Sequence, residues 1–219
     1  MDLRSGFHLD NHLISLDMKK HILILIPLLT VTISYGQWNQ QYTMPTNQVS
    51  SVFFLNSNNG FIVGRKGTIL KTTNGGKLWT TLSNETPANL ESVFFINSTT
   101  GFVAGAHGTI LKTSDGGLSW VPLSTGMDNQ LFSVFFTSLN TGYAVGDRGK
   151  IIKTINGGKS WEILDSKTTN TLSSVRFIST DTGFVVGRNG TILKTINGGS
   201  SWTSLSYSES EELNSVFFY

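Results

Sequence analysis

Four tryptophans, Trp79, Trp120, Trp161 and Trp202, stand at equal intervals, and each closes the same phrase. That phrase opens with Gly67-Thr68-Ile69-Leu70-Lys71-Thr72, ends with Asn74-Gly75-Gly76-Lys77-Leu78-Trp79, and returns at 108–120, 149–161 and 190–202. A second phrase, Ser-Val-Phe-Phe, keeps the same interval at Ser51, Ser92, Ser133 and Ser215, with Ser174-Val175-Arg176-Phe177 as its one variant. A fixed period of about 40 residues is met by stacking copies of one supersecondary unit, so it limits the fold before any local feature does.

The second copy shows what the unit is. Ser92-Val93-Phe94-Phe95-Ile96 is β-branched and aromatic, the pattern of a strand buried on both faces. Asn97 to Gly101 is turn chemistry, Phe102-Val103-Ala104 a second short strand, and Gly105-Ala106-His107-Gly108 a second turn. Thr109 to Thr113 is a third strand, Asp115-Gly116-Gly117 a tight hairpin, and Ser119 to Leu123 an outer strand whose Pro122 is tolerated at an edge. Four antiparallel strands recurring at this period predict an all-β fold, a β-propeller of four-stranded blades. One such sheet cannot bury both apolar faces by itself, so the repeated tryptophan is expected between blades. The predicted blades cover about 49–82, 90–123, 131–164 and 172–205, within a single domain over 37–219. Single strands at 38–42 and 213–219 imply further, incomplete blades; a four-blade ring with decorated ends is the alternative.

Ahead of this domain, Met18-Lys19-Lys20-His21 is a short basic start, followed by an apolar run over 22–33 and then Ser34-Tyr35-Gly36. This is the pattern of a cleaved signal peptide over 18–36, with export to the periplasm or the extracellular space. An apolar run this short falls below the roughly 17–25 residues that span a bilayer, so no stable membrane insertion is expected after cleavage. Residues 1–17 form an upstream extension fitting neither signal nor domain, and Met18 is an alternative start.

The remaining composition mainly excludes. Cysteine is absent, which removes disulfides, thiol nucleophiles and thiolate metal sites. The formal charge is +2, too near neutral for a nucleic-acid binder. Past residue 36 the one histidine is His107, which supports neither a histidine metal site nor a Ser-His-Asp triad. The Gly-Gly pairs sit in hairpins with no following helix, so they are not phosphate loops. Asp147, Glu162, Asp165 and Asp181 lie within the repeat, and Glu209, Glu211 and Glu212 read as a solvated loop. No catalytic residue, metal or cofactor is expected.

Thr113-Ser114-Asp115-Gly116-Gly117-Leu118-Ser119-Trp120 resembles an Asp-box, the bacterial neuraminidase repeat. Asn74, Asn156 and Asn197 replace its Asp in the other copies, and Leu78 departs from the usual Ser or Thr. The whole phrase, Gly-x-x-Gly-Thr-Ile-Leu-Lys-Thr-x-Asn-Gly-Gly-x-Ser-Trp, resembles the photosystem II stability/assembly factor family over Trp38 to Tyr219. The resemblance implies a propeller in which this motif is a structural hairpin, and a non-enzymatic scaffold that meets a client protein through an arginine-bearing surface. It also implies a link to photosynthesis. Sialidases share the Asp-box, so a secreted glycan-binding or glycoside hydrolase propeller is the alternative.

Candidate binding residues come from where the copies differ. Framework positions repeat because packing demands it, whereas loop tips on a rigid scaffold are free to carry function. The turns between second and third strands hold Arg65, Lys66, His107, Arg148 and Arg188, and the connections between blades lie on the same face. These five read either as a mildly basic partner-binding rim or as ordinary solvated loop charges. Arg176, where the other copies have Phe, reads as a rim residue with its stem packed and its head in water; the second reading places it in the central channel, holding an anion.

Overall fold

The computed structural model describes residues 48–205 and 211–218. The upstream extension, the signal peptide and the strand expected at 38–42 lie outside them.

Sixteen strands form four separate four-stranded antiparallel sheets. In the first, β1 (Val49–Phe54), β2 (Gly60–Gly64), β3 (Ile69–Thr72) and β4 (Thr80–Thr81) pair in sequence order. The second holds β5 (Leu90–Phe95), β6 (Gly101–Gly105), β7 (Ile110–Thr113) and β8 (Val121–Leu123). The third holds β9 (Leu131–Phe136), β10 (Gly142–Gly146), β11 (Ile151–Thr154) and β12 (Glu162–Leu164), and the fourth β13 (Leu172–Phe177), β14 (Gly183–Gly187), β15 (Ile192–Thr195) and β16 (Thr203–Ser204). The all-β, propeller-blade architecture expected from the period is the one observed.

The sheets stack face to face through one repeated aromatic sandwich. Phe95 on β5 stacks on Phe61 of the preceding sheet at 4.4 Å between centroids, while Trp120 meets Phe95 edge-on at 5.9 Å and Phe61 at 6.4 Å. Phe102, Phe136 and Trp161 repeat the arrangement, as do Tyr143, Phe177 and Trp202. Burial measures what a neighbour does. Val93 and Phe95, covered by the first sheet, are 5% and 4% exposed; their counterparts Val52 and Phe54, which no described sheet covers, are 58% and 44% exposed.

Two polar latches accompany the sandwich. The hydroxyls of Ser51, Ser92, Ser133 and Ser174 each accept the backbone N–H of the valine one repeat further on, Val93, Val134 and Val175 on inner strands and Val216 on a segment with no assigned strand, at 3.2–3.3 Å. Lys71, Lys112 and Lys153 each donate to a Gly carbonyl in the next sheet's Gly-Gly hairpin, at 2.8, 3.1 and 2.7 Å, with the ammonium over the sandwich aromatic of their own sheet. Residues 211–218 follow the same scheme: Val216 takes the serine latch and the Phe218 ring lies 5.0 Å from Phe184.

One strand expectation needs correcting. The inner strand is not the one buried on both faces: β5 alternates between buried and half-buried, whereas every position of β6 is buried. The inner strand is a sheet edge along the axis, whereas the second strand has hydrogen-bonded partners on both sides.

Candidate functional site

The five candidate residues occupy equivalent turns. In each sheet the second and third strands are joined by a two-residue loop closed by a backbone bond: Thr68 N–H to Arg65 O, Thr109 to Ala106, Lys150 to Asp147 and Thr191 to Arg188, at 3.1–3.2 Å. The two central residues both have positive φ: 55° and 66° at Lys66-Gly67, 56° and 63° at His107-Gly108, 55° and 68° at Arg148-Gly149, 54° and 63° at Asn189-Gly190. This is the mirror-image turn whose twist matches that of the flanking strands, and Asn-Gly is its preferred sequence. The fourth copy has that sequence. The other three hold a basic side chain in a left-handed conformation that disfavours a Cβ by about 1–2 kcal/mol.

The next connection grips three of the four tips from beneath. Gly67 N–H donates to Ala88 O and Gly108 N–H to Asn129 O, both at 2.8 Å, and Gly190 N–H to Glu211 O at 2.7 Å. Thr125 caps the Gly108 carbonyl at 2.9 Å. With the backbone fixed on both sides, Arg65, Lys66, His107, Arg148 and Arg188 point into solvent from one end of the stack.

Acids on the connections temper the positive charge there; the sequence reading named Asp165 and Glu212 without pairing them and left out Asp128. His107 Nδ1 lies 2.9 Å from Asp128 Oδ1, and Arg188 Nε 3.3 Å from Glu212 Oε1. Thr171 donates to Asp147, and Asp165 is bonded by the Lys167 side chain and backbone, which hold its carboxyl below the usual range. Among the described residues, Arg65, Lys66 and Arg148 have no side-chain ion pair. The basic surface is thus narrower than five residues: the first sheet and the third carry it. The recurrence of an acid on the connection downstream of a basic turn was the available signal.

Arg176 meets the channel reading, and it does so half-buried at one end of the channel. It lines the axial cavity, of about 350 Å³, at the end away from these turns. Among the described residues no group of three or more His, Asp or Glu could hold a metal ion.

The family model described as photosynthesis system II assembly factor YCF48 matches residues 31–126, 77–165 and 118–211. This chain belongs to that family. It is the family whose resemblance the repeats carry. Among solved structures, YCF48 bound to a D1 peptide is similar at 20% identity and a TM-score of 0.65, over 83% of this chain and 60% of that one. YCF48 from Cyanidioschyzon merolae is similar at 24% identity and a TM-score of 0.65, over 82% and 63%. An ancestral GH74 enzyme reaches the same TM-score at 20% identity, over 80% of this chain but 26% of its own. The chain spans about three-fifths of the length of the YCF48 structures it matches. No curated protein matches it. At these identities the structural likeness speaks for the propeller fold, which YCF48 and glycoside hydrolases share.

Proposed function

We propose that this YCF48-family chain is a non-enzymatic, exported propeller scaffold that binds a protein partner through the turns carrying Arg65, Lys66, His107, Arg148 and Arg188. The observation that carries this reading is the backbone conformation of those turns. Three copies place Lys, His or Arg where Asn or Gly would sit with less strain, and a strained, exposed position on a rigid frame favours a role outside folding. Arginine suits the carboxylates of an acidic peptide, and Arg65 and Arg148, which have no ion pair among the described residues, present the planar fork to solvent. The YCF48 structure bound to a D1 peptide supports a peptide or protein segment as the partner class.

The alternative, a glycan-active propeller, has the GH74 likeness behind it. Glycoside hydrolysis calls for a carboxyl held protonated to serve as the acid. Among the described residues, the carboxyls with displaced pKa values, Asp115 and Asp165, are both shifted the other way, by hydrogen bonds from Ser119 and Lys167, so neither suits the role of that acid.

Fluorescence anisotropy with a labelled D1 peptide, and with an unrelated peptide of equal charge, tests the proposal. Changing Arg65, Lys66 and Arg148 together to Asn should weaken D1 peptide binding about tenfold or more, with binding also falling as salt rises. Unchanged affinity in the triple variant, or release of sugar from xyloglucan or a sialoside, would overturn it. Export is checked separately, by sequencing the N-terminus of the mature protein, which should begin at Gln37.

A further inference from the structure

The inner strands carry a collar of rings at one end of the axial cavity. Phe53 lies 5.8 Å from Phe94, and Phe94 4.9 Å from Phe135. The next position in the repeat is Arg176, whose guanidinium carbon lies 5.1 Å from the Phe135 centroid and 5.4 Å from that of Phe217. Arg176 therefore fills a phenylalanine place with a cation held between two aromatic faces. Stacking of this kind covers the faces of the guanidinium and fixes its plane, which leaves its N–H groups directed outward along the edge. None of those donors meets a protein acceptor among the described residues, although the side chain is half-buried.

The cavity wall is rich in donors for a second reason. Ser51, Ser92, Ser133 and Ser174 line it, and each already uses an oxygen lone pair to accept the neighbouring valine N–H. Their hydroxyl hydrogens have no protein acceptor among the described residues, so each can still donate. The one carboxylate on the wall, Glu91, is engaged by the Gln130 side chain at 2.9 Å. Burial lowers the Arg176 pKa, because desolvation disfavours the charged form.

We propose that the axial cavity is a binding site for a small monovalent carboxylate, gripped edge-on by Arg176 and bordered by the serine hydroxyls. A cavity of about 350 Å³ admits a molecule of several heavy atoms. The wall carries one cation, Arg176, and one carboxylate, Glu91, which Gln130 holds by hydrogen bond; with a single cation to meet it, a monoanion is matched better than a phosphate dianion, which would leave a charge uncompensated. This site lies at the other end of the inner strands from the basic turns and does not depend on what they bind.

The test is a titration of the whole chain with acetate and with inorganic phosphate, at constant ionic strength set by chloride. Side-chain Nε–Hε signals are followed by NMR, with Arg176 assigned from its loss in Arg176→Phe. Acetate should move the Arg176 signal saturably, about tenfold more tightly than phosphate, while the signals of Arg65 and Arg148 drift without saturating. Arg176→Phe restores the residue of the other copies, so it should melt no lower than the parent and lose the rise in melting temperature that acetate gives. An Arg176 signal that moves no more than that of Arg65, or phosphate binding as tight as acetate binding, would overturn the assignment. So would an acetate effect on melting that survives in Arg176→Phe.

Discussion

The two ends of each sheet are built from the same kind of element, a tight turn with two positive-φ residues, yet they follow opposite rules. At one end the Gly-Gly hairpin repeats almost letter for letter, and the threonine that precedes it and the second glycine of each copy are buried. Thr113 donates to Asp115 at 2.8 Å and accepts the Gly117 N–H at 2.8 Å, while Asp115 receives the N–H groups of Leu118 and Ser119. Asn156 and Asn197 perform the same task through Oδ1, and their amides donate to Ser160 and Ser201. That hairpin is also wedged against the preceding sheet by the lysine latch. At the other end the backbone is held as firmly, but the side chains change from Lys to His to Arg to Asn and reach solvent. Where the repeat is constant, a neighbouring sheet reads the residue. Where it varies, a loop residue at most does, as Asp128 meets His107.

If this contrast is right, the same substitution should have unequal effects at the two ends. Gly117 has φ +79°, and a Cβ there would lie 2.4 Å from the Phe61 ring of the preceding sheet. Gly126, on a connection at the other end, has φ +69° and would place its Cβ in open space. Gly117→Ala adds overpacking to backbone strain and should lose about 2–5 kcal/mol. Gly126→Ala should lose about 1–2 kcal/mol from strain alone. Urea unfolding of the two variants measures the difference, which is the contribution of the sheet-to-sheet contact. Equal losses would break the comparison.

A second test concerns the one hairpin that uses an ionisable group. Hydrogen bonds from the Ser119 side chain and backbone, then from Thr113, hold the Asp115 carboxyl far below the ordinary carboxylate range. Its folded pKa is depressed, so its stabilisation is complete above the unfolded pKa of about 4 and is lost as pH falls through the folded value. Asp115→Asn installs the residue of the sister sheets, which does not titrate. Melting temperature should therefore fall less steeply in the variant than in the parent below about pH 4. Asp165, also depressed by its Lys167 contacts, is present in both proteins and cancels from the comparison.

The constant end was legible in the sequence and the variable end only in part, for the same physical reason. Periodic Trp, Phe and Gly positions record packing, and packing is what a repeat makes visible; the blades, the hairpin and the family followed from them. The basic residues at 65, 66, 107, 148 and 188 were visible as departures from the repeat. Their pairing with Asp128 and Glu212 was not, because it depends on how a connection folds back over a turn that precedes it by most of a sheet. Arg176 stood out as a broken phenylalanine, but its location between two rings depends on how the preceding and following inner segments pack beside it. The inner strand was misjudged because composition shows that a strand is apolar without showing how many partners it has.

The smallest expected effect separates function from folding at the variable end. Arg148 has φ 55° and Asn189, at the equivalent place, φ 54°. Both turns carry the same closing bond and a glycine at the next position, so backbone geometry is matched and only the side chain differs. Asn tolerates the left-handed region better than Arg, through local hydrogen bonding of its short amide. Arg148→Asn should therefore leave stability unchanged or raise it by up to about 1 kcal/mol, and Asn189→Arg should lower it by a similar amount. Paired thermal melts check both signs. If Arg148→Asn instead destabilises, the arginine is packing against its own sheet, and variation at this end would have a structural cause. If the signs hold while D1 peptide binding weakens in Arg148→Asn alone, the strain at this turn is retained for what the side chain meets outside the protein.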